Sequence, residues 1–328
     1  MKKVLVTGAN GFLGSHILHE LISSGKFKVY GLIRNDSDNS LNNEVKNEVN
    51  WRYGNILDIF DLETAFQDID IVIHSAAMVS YDPRKSRLMM KTNEKGTANV
   101  CNSAAFIGVK KLVYISSIAA IGKTEGKDKI DETCGWSNGS PHTNYSLSKY
   151  KAEMEVWRSY HEGLPVTILN PSVILGVGKW DQSSLQFIPR LAKGGTIYPL
   201  GSTGFVDVKD VAKLAMKSID NKFDGERYIV SGFNESYKDL FDNITSILGV
   251  KRPFIPLGPT LSSLLWRIEF IRTKIFGGSN LLTKQTAKTI STKTEYDNSK
   301  SRKAFEFEYR DKQDTIGEML KQFVLQYN

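Results

Sequence analysis

Val4-Leu5-Val6-Thr7-Gly8-Ala9-Asn10-Gly11-Phe12-Leu13-Gly14 sets a short apolar run directly against three glycines spaced three residues apart. Helical rhythm follows: Leu13, Ile17, Leu18, Leu21 and Ile22 fall on one face, and Gly25 stands where a helix stop is expected. Glycine lets a backbone turn sharply and come close to an anion, while the first amides of the helix and the positive end of its dipole face that anion. The next apolar run, Val29 to Ile33, completes a βαβ unit. The stretch therefore predicts a strand, a phosphate-binding turn and a helix, with Gly8, Asn10, Gly11, Phe12, Leu13 and Gly14 as contacts for a dinucleotide.

Working outward, the apolar runs Val4 to Val6, Val29 to Ile33, Trp51 to Tyr53, Ile71 to His74, Leu112 to Ser116 and Val166 to Leu169 alternate with segments of helical period. That alternation predicts an α/β fold, a doubly wound parallel Rossmann sheet with helices on both faces. After Pro171 the rhythm breaks at Gly176, Gly178, Pro189, Gly194, Gly195, Pro199, Gly201 and Gly204. We expect a dinucleotide-binding domain over 1–170 and a smaller C-terminal α/β substrate domain over 171–328, with about 205–232 returning to the first.

The composition fits a packed core in one large or two coupled domains: 328 residues, 41% of them hydrophobic. Cys101 and Cys134 are too few for a disulfide framework, and His16, His19, His74, His142 and His161 are too dispersed for ligand spacing, so no metal is expected. The formal charge of +7 comes from Lys and Arg scattered along the chain, without a basic stripe, and no nucleic-acid partner is expected. The apolar run near Met1 is too short for a signal peptide, which makes the cytoplasm the expected location. Between Pro253 and Gly278, Phe254, Leu261, Trp266, Phe270 and Phe276 are interrupted by Arg267, Glu269, Arg272 and Lys274, too often for a stable membrane span. A lid over the substrate, a helix lying on a membrane surface and domain core stay open for this stretch.

Tyr145-Ser146-Leu147-Ser148-Lys149 lies in a segment, Thr143 to Tyr160, that reads as a helix, so Tyr145 and Lys149 share a face one turn apart. A phenol of pKa about 10 is a poor acid or base near neutrality, and an adjacent ammonium brings it toward working range. The spacing occurs three times, at Tyr81 with Lys85, Tyr145 with Lys149 and Tyr296 with Lys300. Pro83 disfavours a helix through the first pair, and the third sits in a polar C-terminal stretch. Only the second follows a strand ending in serines, Ser116 and Ser117, at the sheet edge where open α/β folds bind ligands.

With these motifs in place, the chain resembles the extended short-chain dehydrogenases and reductases, the NAD-dependent epimerase/dehydratase family, in its dihydroflavonol-4-reductase-like branch. The likeness also covers Val72 to Ala77, Asn93 to Thr97, Leu169 to Ser172 and Phe205 to Ala212. It implies Tyr145 as proton donor or acceptor, Lys149 as the group that holds the nicotinamide ribose and tunes Tyr145, and Ser117, with Ser116 as substitute, as the hydroxyl steadying the substrate oxygen. It further implies cofactor contacts from Ala76, Ala77, Asn93, Asn55, Ile56, Ser116, Pro171 and Ser172. Epimerases of the family usually carry an arginine for the substrate pyrophosphate just before the motif seen here at Phe205 to Asp207. Ser202-Thr203-Gly204 stand there instead.

The expected function is thus an NADP(H)-dependent reductase or dehydrogenase moving a hydride between nicotinamide and a ketone, aldehyde or alcohol. The alternatives are an NAD-dependent nucleotide-sugar epimerase or dehydratase, and a dinucleotide sensor without chemistry, which the intact Tyr145 and Lys149 disfavour. NADP is preferred to NAD because Ile33 occupies the usual position of the ribose-binding acid and Arg34 follows it, although Asp36 lies close by. The substrate is a small molecule, and a homodimer is left open.

Overall fold

Uninterrupted apolar strands such as Val4-Leu5-Val6 and Ile71-Val72-Ile73 can be buried only where both faces of a sheet are covered. In the computed structural model, which describes residues 1–36, 43–80, 82–122, 129–136, 142–180, 183–258, 261, 266–267 and 290–327, both lie at the centre of a seven-stranded sheet. The strands in chain order are β1 (Lys2–Thr7), β2 (Phe27–Ile33), β3 (Asn50–Tyr53), β4 (Ile71–His74), β5 (Lys111–Ile115), β6 (Val166–Pro171), β7 (Val173–Leu175), β8 (Ile197–Pro199), β9 (Ser202–Asp207), β10 (Glu226–Val230), β11 (Phe233–Ser236) and β12 (Ile255–Leu257). Across the large sheet they run β3-β2-β1-β4-β5-β6-β10, all parallel, and the order reverses between β1 and β4. Ligands bind at such a switch point, beyond the carboxyl ends of the strands.

Helices α1 (Phe12–Ser23), α2 (Asn43–Glu48), α3 (Ile59–Phe66), α4 (Ser86–Met90), α5 (Gly96–Ile107), α6 (Asn144–His161), α7 (Phe187–Ala192), α8 (Val208–Lys217) and α9 (Tyr237–Leu248) fill the connections. On one face of the sheet, Ile17, Leu18 and Leu21 of α1 and Val211 and Leu214 of α8 pack on Val4, Val6 and Ile73. On the other, Leu62, Phe66, Val100, Ala104, Ala152 and Val156 of α3, α5 and α6 pack on Leu5, Val72 and Leu112.

Several strands run past their apolar runs: β1 begins at Lys2, and β6 ends at Pro171. Parallel ladders are made by the backbone, so polar ends join wherever the register carries them, as in the pairing of Lys2 with Phe27. After Pro171 the chain interleaves. Strands β7, β9 and β11 form a small sheet, β8 and β12 pair, and β10 crosses back to extend the large sheet beside β6. A third core joins Leu175, Leu191, Phe205, Leu240 and Ile244 to Ile316, Met319 and Phe323 of the helix Lys312–Tyr327. Of the apolar stretch 253–278, β12 is an ordinary paired strand, while most residues after 258 lie outside the described ones. No helix among the described residues is long and apolar enough to cross a membrane.

Candidate active site

The first glycine turns through the left-handed region, with φ +65° at Gly8, and a Cβ there would lie 2.8 Å from the Ala76 Cα. A Cβ at Gly14 would lie 2.1 Å from the Gly8 carbonyl oxygen, so this helix can approach this turn only as glycine. Gly11, whose N–H donates to the Gly8 carbonyl at 3.0 Å, caps α1 without any side chain, and the first turn of the helix holds no acid. The first amides of α1 thus stand at the switch point without a capping side chain, a cradle that suits a pyrophosphate. Asn10 and Phe12 are half-buried in this turn and Leu13 is core. Phe12 meets the His16 ring edge-on and lies so close to Gly178 that a Cβ there would be 2.5 Å from its ring.

The loop after β4 forms the opposite wall. The Ala76 N–H donates to Thr7 Oγ1 at 3.1 Å, and Ala77 is exposed beside it. Asn55 is exposed at the end of β3, while Ile56 is buried against Gly96, with its carbonyl held by Asn99 Nδ2 at 3.1 Å. Asn93, in a single turn of π-helix (Lys91–Lys95), is only 1% exposed. Its amide holds both backbone groups of Met78, at 2.8 and 2.9 Å, and donates to Ser148 Oγ at 2.9 Å. It braces the wall loop against α6 rather than presenting a free amide. At the tip of β2, Ile33 is buried, and the exposed Arg34 pairs with Asp36 at 3.5 Å.

Helix α6 starts on Thr143, whose Oγ1 accepts from the Ser146 N–H at 3.0 Å. Tyr145 sits half-buried in its first turn, and Lys149 follows one turn on, 2% exposed. The Lys149 ammonium donates to the Ile115 carbonyl at 2.9 Å and lies over the Tyr114 ring, 4.6 Å from its centroid. Burial pulls its pKa down to about 7, against the opposing charge of Glu153. The two serines after β5 separate: Ser116 is buried and donates to Glu153 Oε2 at 2.6 Å, whereas Ser117 is half-buried, its Oγ accepting from the Ala119 N–H at 3.1 Å. Pro171 and Ser172 close the end of β6, where the Ser172 N–H donates to the Val230 carbonyl at 2.9 Å.

Of the rival pairs, Tyr81 lies outside the described residues and Lys85 ends a 3-10 turn (Pro83–Lys85), not a helix bearing both. Tyr296 precedes the helix Ser299–Phe305 and pairs with Ile130, and Lys300 is taken up by Glu226 at 2.6 Å. No group of three or more His, Cys, Asp or Glu residues able to hold a metal occurs among the described residues. The sequence reading missed Glu153 and Arg227. Glu153 was within reach, one more turn along the Tyr145–Lys149 face, but Arg227 joins it from a strand 74 residues away, at 3.1 Å.

The family model described as "NAD dependent epimerase/dehydratase family" matches residues 4–231. Sterol demethylase protein B of Methylococcus capsulatus is 30% identical over 78% of this chain and 78% of its own. Cinnamoyl-CoA reductase 1 of rice, Oryza sativa subsp. japonica, is 31% identical over 70% of this chain and 71% of its own. The crystal structure of gox2253 superposes with a TM-score of 0.84 at 30% identity, covering 100% of this chain and 99% of that one.

Proposed function

Since the chain belongs to the NAD dependent epimerase/dehydratase family, and so to the NAD(P)-dependent enzymes that act on alcohol and carbonyl carbons, we propose that it is an NADP(H)-dependent reductase or dehydrogenase of a bulky, largely apolar carbonyl or alcohol. The observation that carries this reading is Lys149, buried one turn beyond Tyr145 with its ammonium fixed at the strand end that bears Ser117. The α1 amides, the glycine turn, Ala76 and Ala77 would hold a nicotinamide dinucleotide, which when bound would supply or accept the hydride. Tyr145 passes the proton to the carbonyl oxygen, or takes it from the alcohol. The charge on Lys149 stabilises the phenolate, and Ser117 Oγ orients the substrate oxygen.

Gly204 favours a reductase over a nucleotide-sugar epimerase. A Cβ there would lie 2.4 Å from Ser231 Oγ and 3.0 Å from the Ser172 Cβ, so position 204 has no room for a side chain, and Ser202 and Thr203 before it offer a substrate pyrophosphate no cation. The sterol and cinnamoyl skeletons in the names of two relatives agree with an apolar substrate. Ile33 and Arg34 at the tip of β2 favour the 2′-phosphate of NADP. Purified protein incubated with NADPH and a panel of hydrophobic ketones, aldehydes and nucleotide sugars tests the reading. Net NADPH oxidation by the hydrophobic carbonyls is expected, and epimerisation of a nucleotide sugar without net consumption overturns it.

A further inference from the structure

Lys149 is a charge placed where charge is costly. Its ammonium has a backbone carbonyl and a ring face as neighbours, and neither cancels a unit charge. The ionisable and polar groups around it and around the neighbouring Glu153 come from several elements: His74 from β4, Tyr114 and Ser116 from β5 and its end, Asn170 from β6, Arg227 from β10, and Tyr145 and Glu153 from its own helix. Of these, Glu153 alone is an acid. It is 1% exposed and stands one turn beyond Lys149 on the face that carries Tyr145.

The Glu153 carboxylate is tied to three strand ends. Its Oε2 accepts from Ser116 Oγ at 2.6 Å and from Asn170 Nδ2 at 2.8 Å, and its Oε1 accepts from Arg227 Nη1 at 3.1 Å. The same Asn170 amide donates to the Ser117 carbonyl at 3.0 Å, so carboxylate and substrate-facing serine share one anchor. Arg227 is itself held by the carbonyls of Glu132 and Cys134, at 2.5 and 3.1 Å, which fixes its guanidinium against the carboxylate.

We infer that Glu153 is a positioning residue, the countercharge that keeps Lys149 an ammonium and the post that holds the strand end of Ser117, with Arg227 setting how much of its charge Lys149 receives. The inference rests on the reading of Tyr145 and Lys149 as the proton-transfer pair. A carboxylate favours a neighbouring cation and a guanidinium opposes it, so the two partners act on Lys149 with opposite signs. Removing the acid lowers the pH at which the pair loses its proton, and removing the arginine raises it. A purely structural bracket would move neither.

The experiment follows the Lys149 titration by NMR on the full chain labelled at lysine Cε, assigned through the signal lost in Lys149→Met. In the parent protein it is expected near pH 7. Glu153→Gln keeps the side-chain shape and should move it down by about one pH unit, Arg227→Met should move it up, and Glu153→Asp should stay close to the parent. The alkaline limb of kcat should shift in the same directions, with KM for the carbonyl changing less. An unmoved Lys149 titration in folded Glu153→Gln, or equal shifts of one sign in Glu153→Gln and Arg227→Met, overturns the inference. Should Glu153→Gln not fold, Arg227→Met decides alone, by an upward shift or none. Because the titration needs no substrate, shifts of the expected sign in a protein that oxidises no NADPH uphold the inference and sink the oxidoreductase reading instead.

Discussion

Replacing Tyr145 with Phe deletes one hydroxyl and leaves the ring that packs in the first turn of α6. General acid–base catalysis is worth about 100-fold to 10,000-fold, so turnover should fall by that range while NADPH affinity and melting temperature hold. Tyr296→Phe is the control: half-buried, it packs against Ile118, Ile130 and Ile229, and Lys300 is engaged elsewhere, so turnover should survive. A collapse of turnover in Tyr296→Phe with a silent Tyr145→Phe would exchange their roles. At the cofactor end, the exposed Arg34 pairs with the exposed Asp36 at 3.5 Å, and its guanidinium can turn to a 2′-phosphate. Arg34→Ala should weaken NADPH about tenfold to a hundredfold, the scale of hydrogen bonds to a charged group, and leave NADH unchanged. Equal losses for both in a binding titration would remove the assignment. The spelling Y-x-x-x-K could not choose among three sites, because burial, pairing and helix boundaries decide which lysine is a partner. Context in the sequence singles out the second pair, through the serines after β5, and the two substitutions test that choice.

The two ends of α1 separate two effects that a glycine substitution can mix. Gly25 has φ +64° and nothing within 4 Å of a would-be Cβ, so Gly25→Ala carries only left-handed strain, about 1–2 kcal/mol. Gly14 meets the Gly8 carbonyl instead, so Gly14→Ala must push the helix off the turn and misalign its amides. Gly25→Ala should lower the denaturation midpoint with dinucleotide affinity intact, and Gly14→Ala should lose at least tenfold in affinity; the two titrations side by side check this. Elements of this kind were legible because a local pattern makes them: apolar run, glycine turn, periodic helix. The return of β10 to the large sheet was foreshadowed by the regular stretch Arg227 to Val230, whereas the pairing of β7 with β9 and β11 was not. Those strands are three to six residues long, and their partners are set by the third core, contacts that no window of sequence contains.

At the scale of the whole molecule, His74 links the layers. Its ring nitrogens meet Thr7 Oγ1 on β1 at 2.7 Å and Thr97 Oγ1 on α5 at 3.0 Å, and its ring stacks on Tyr114 of β5. Burial first, and then the charge of Lys149, lowers its pKa to about 3 from 6.5. The folded protein therefore keeps His74 neutral where the unfolded chain would protonate it. Its folded pKa is depressed, so stability is fully present above pH 6.5 and is lost as pH falls toward 3, by up to about 1.4 kcal/mol per unit. Asp210 works against this over part of the range: burial raises it to about 6 from 3.8, and its contribution is lost as pH rises between those values. A wild-type acid profile alone therefore mixes several slopes, those of His16 and Glu132 among them, and the difference between wild type and His74→Gln isolates one. Gln can still bond both threonines but takes no proton. We expect urea midpoints of wild type and His74→Gln to run parallel above pH 7 and to converge, or cross, as pH falls from 6.5 to 4, because only the wild type loses stability to this group. Curves that stay parallel down to pH 4 would mean that the buried imidazole titrates alike in both states and does not set the acid limit of the fold.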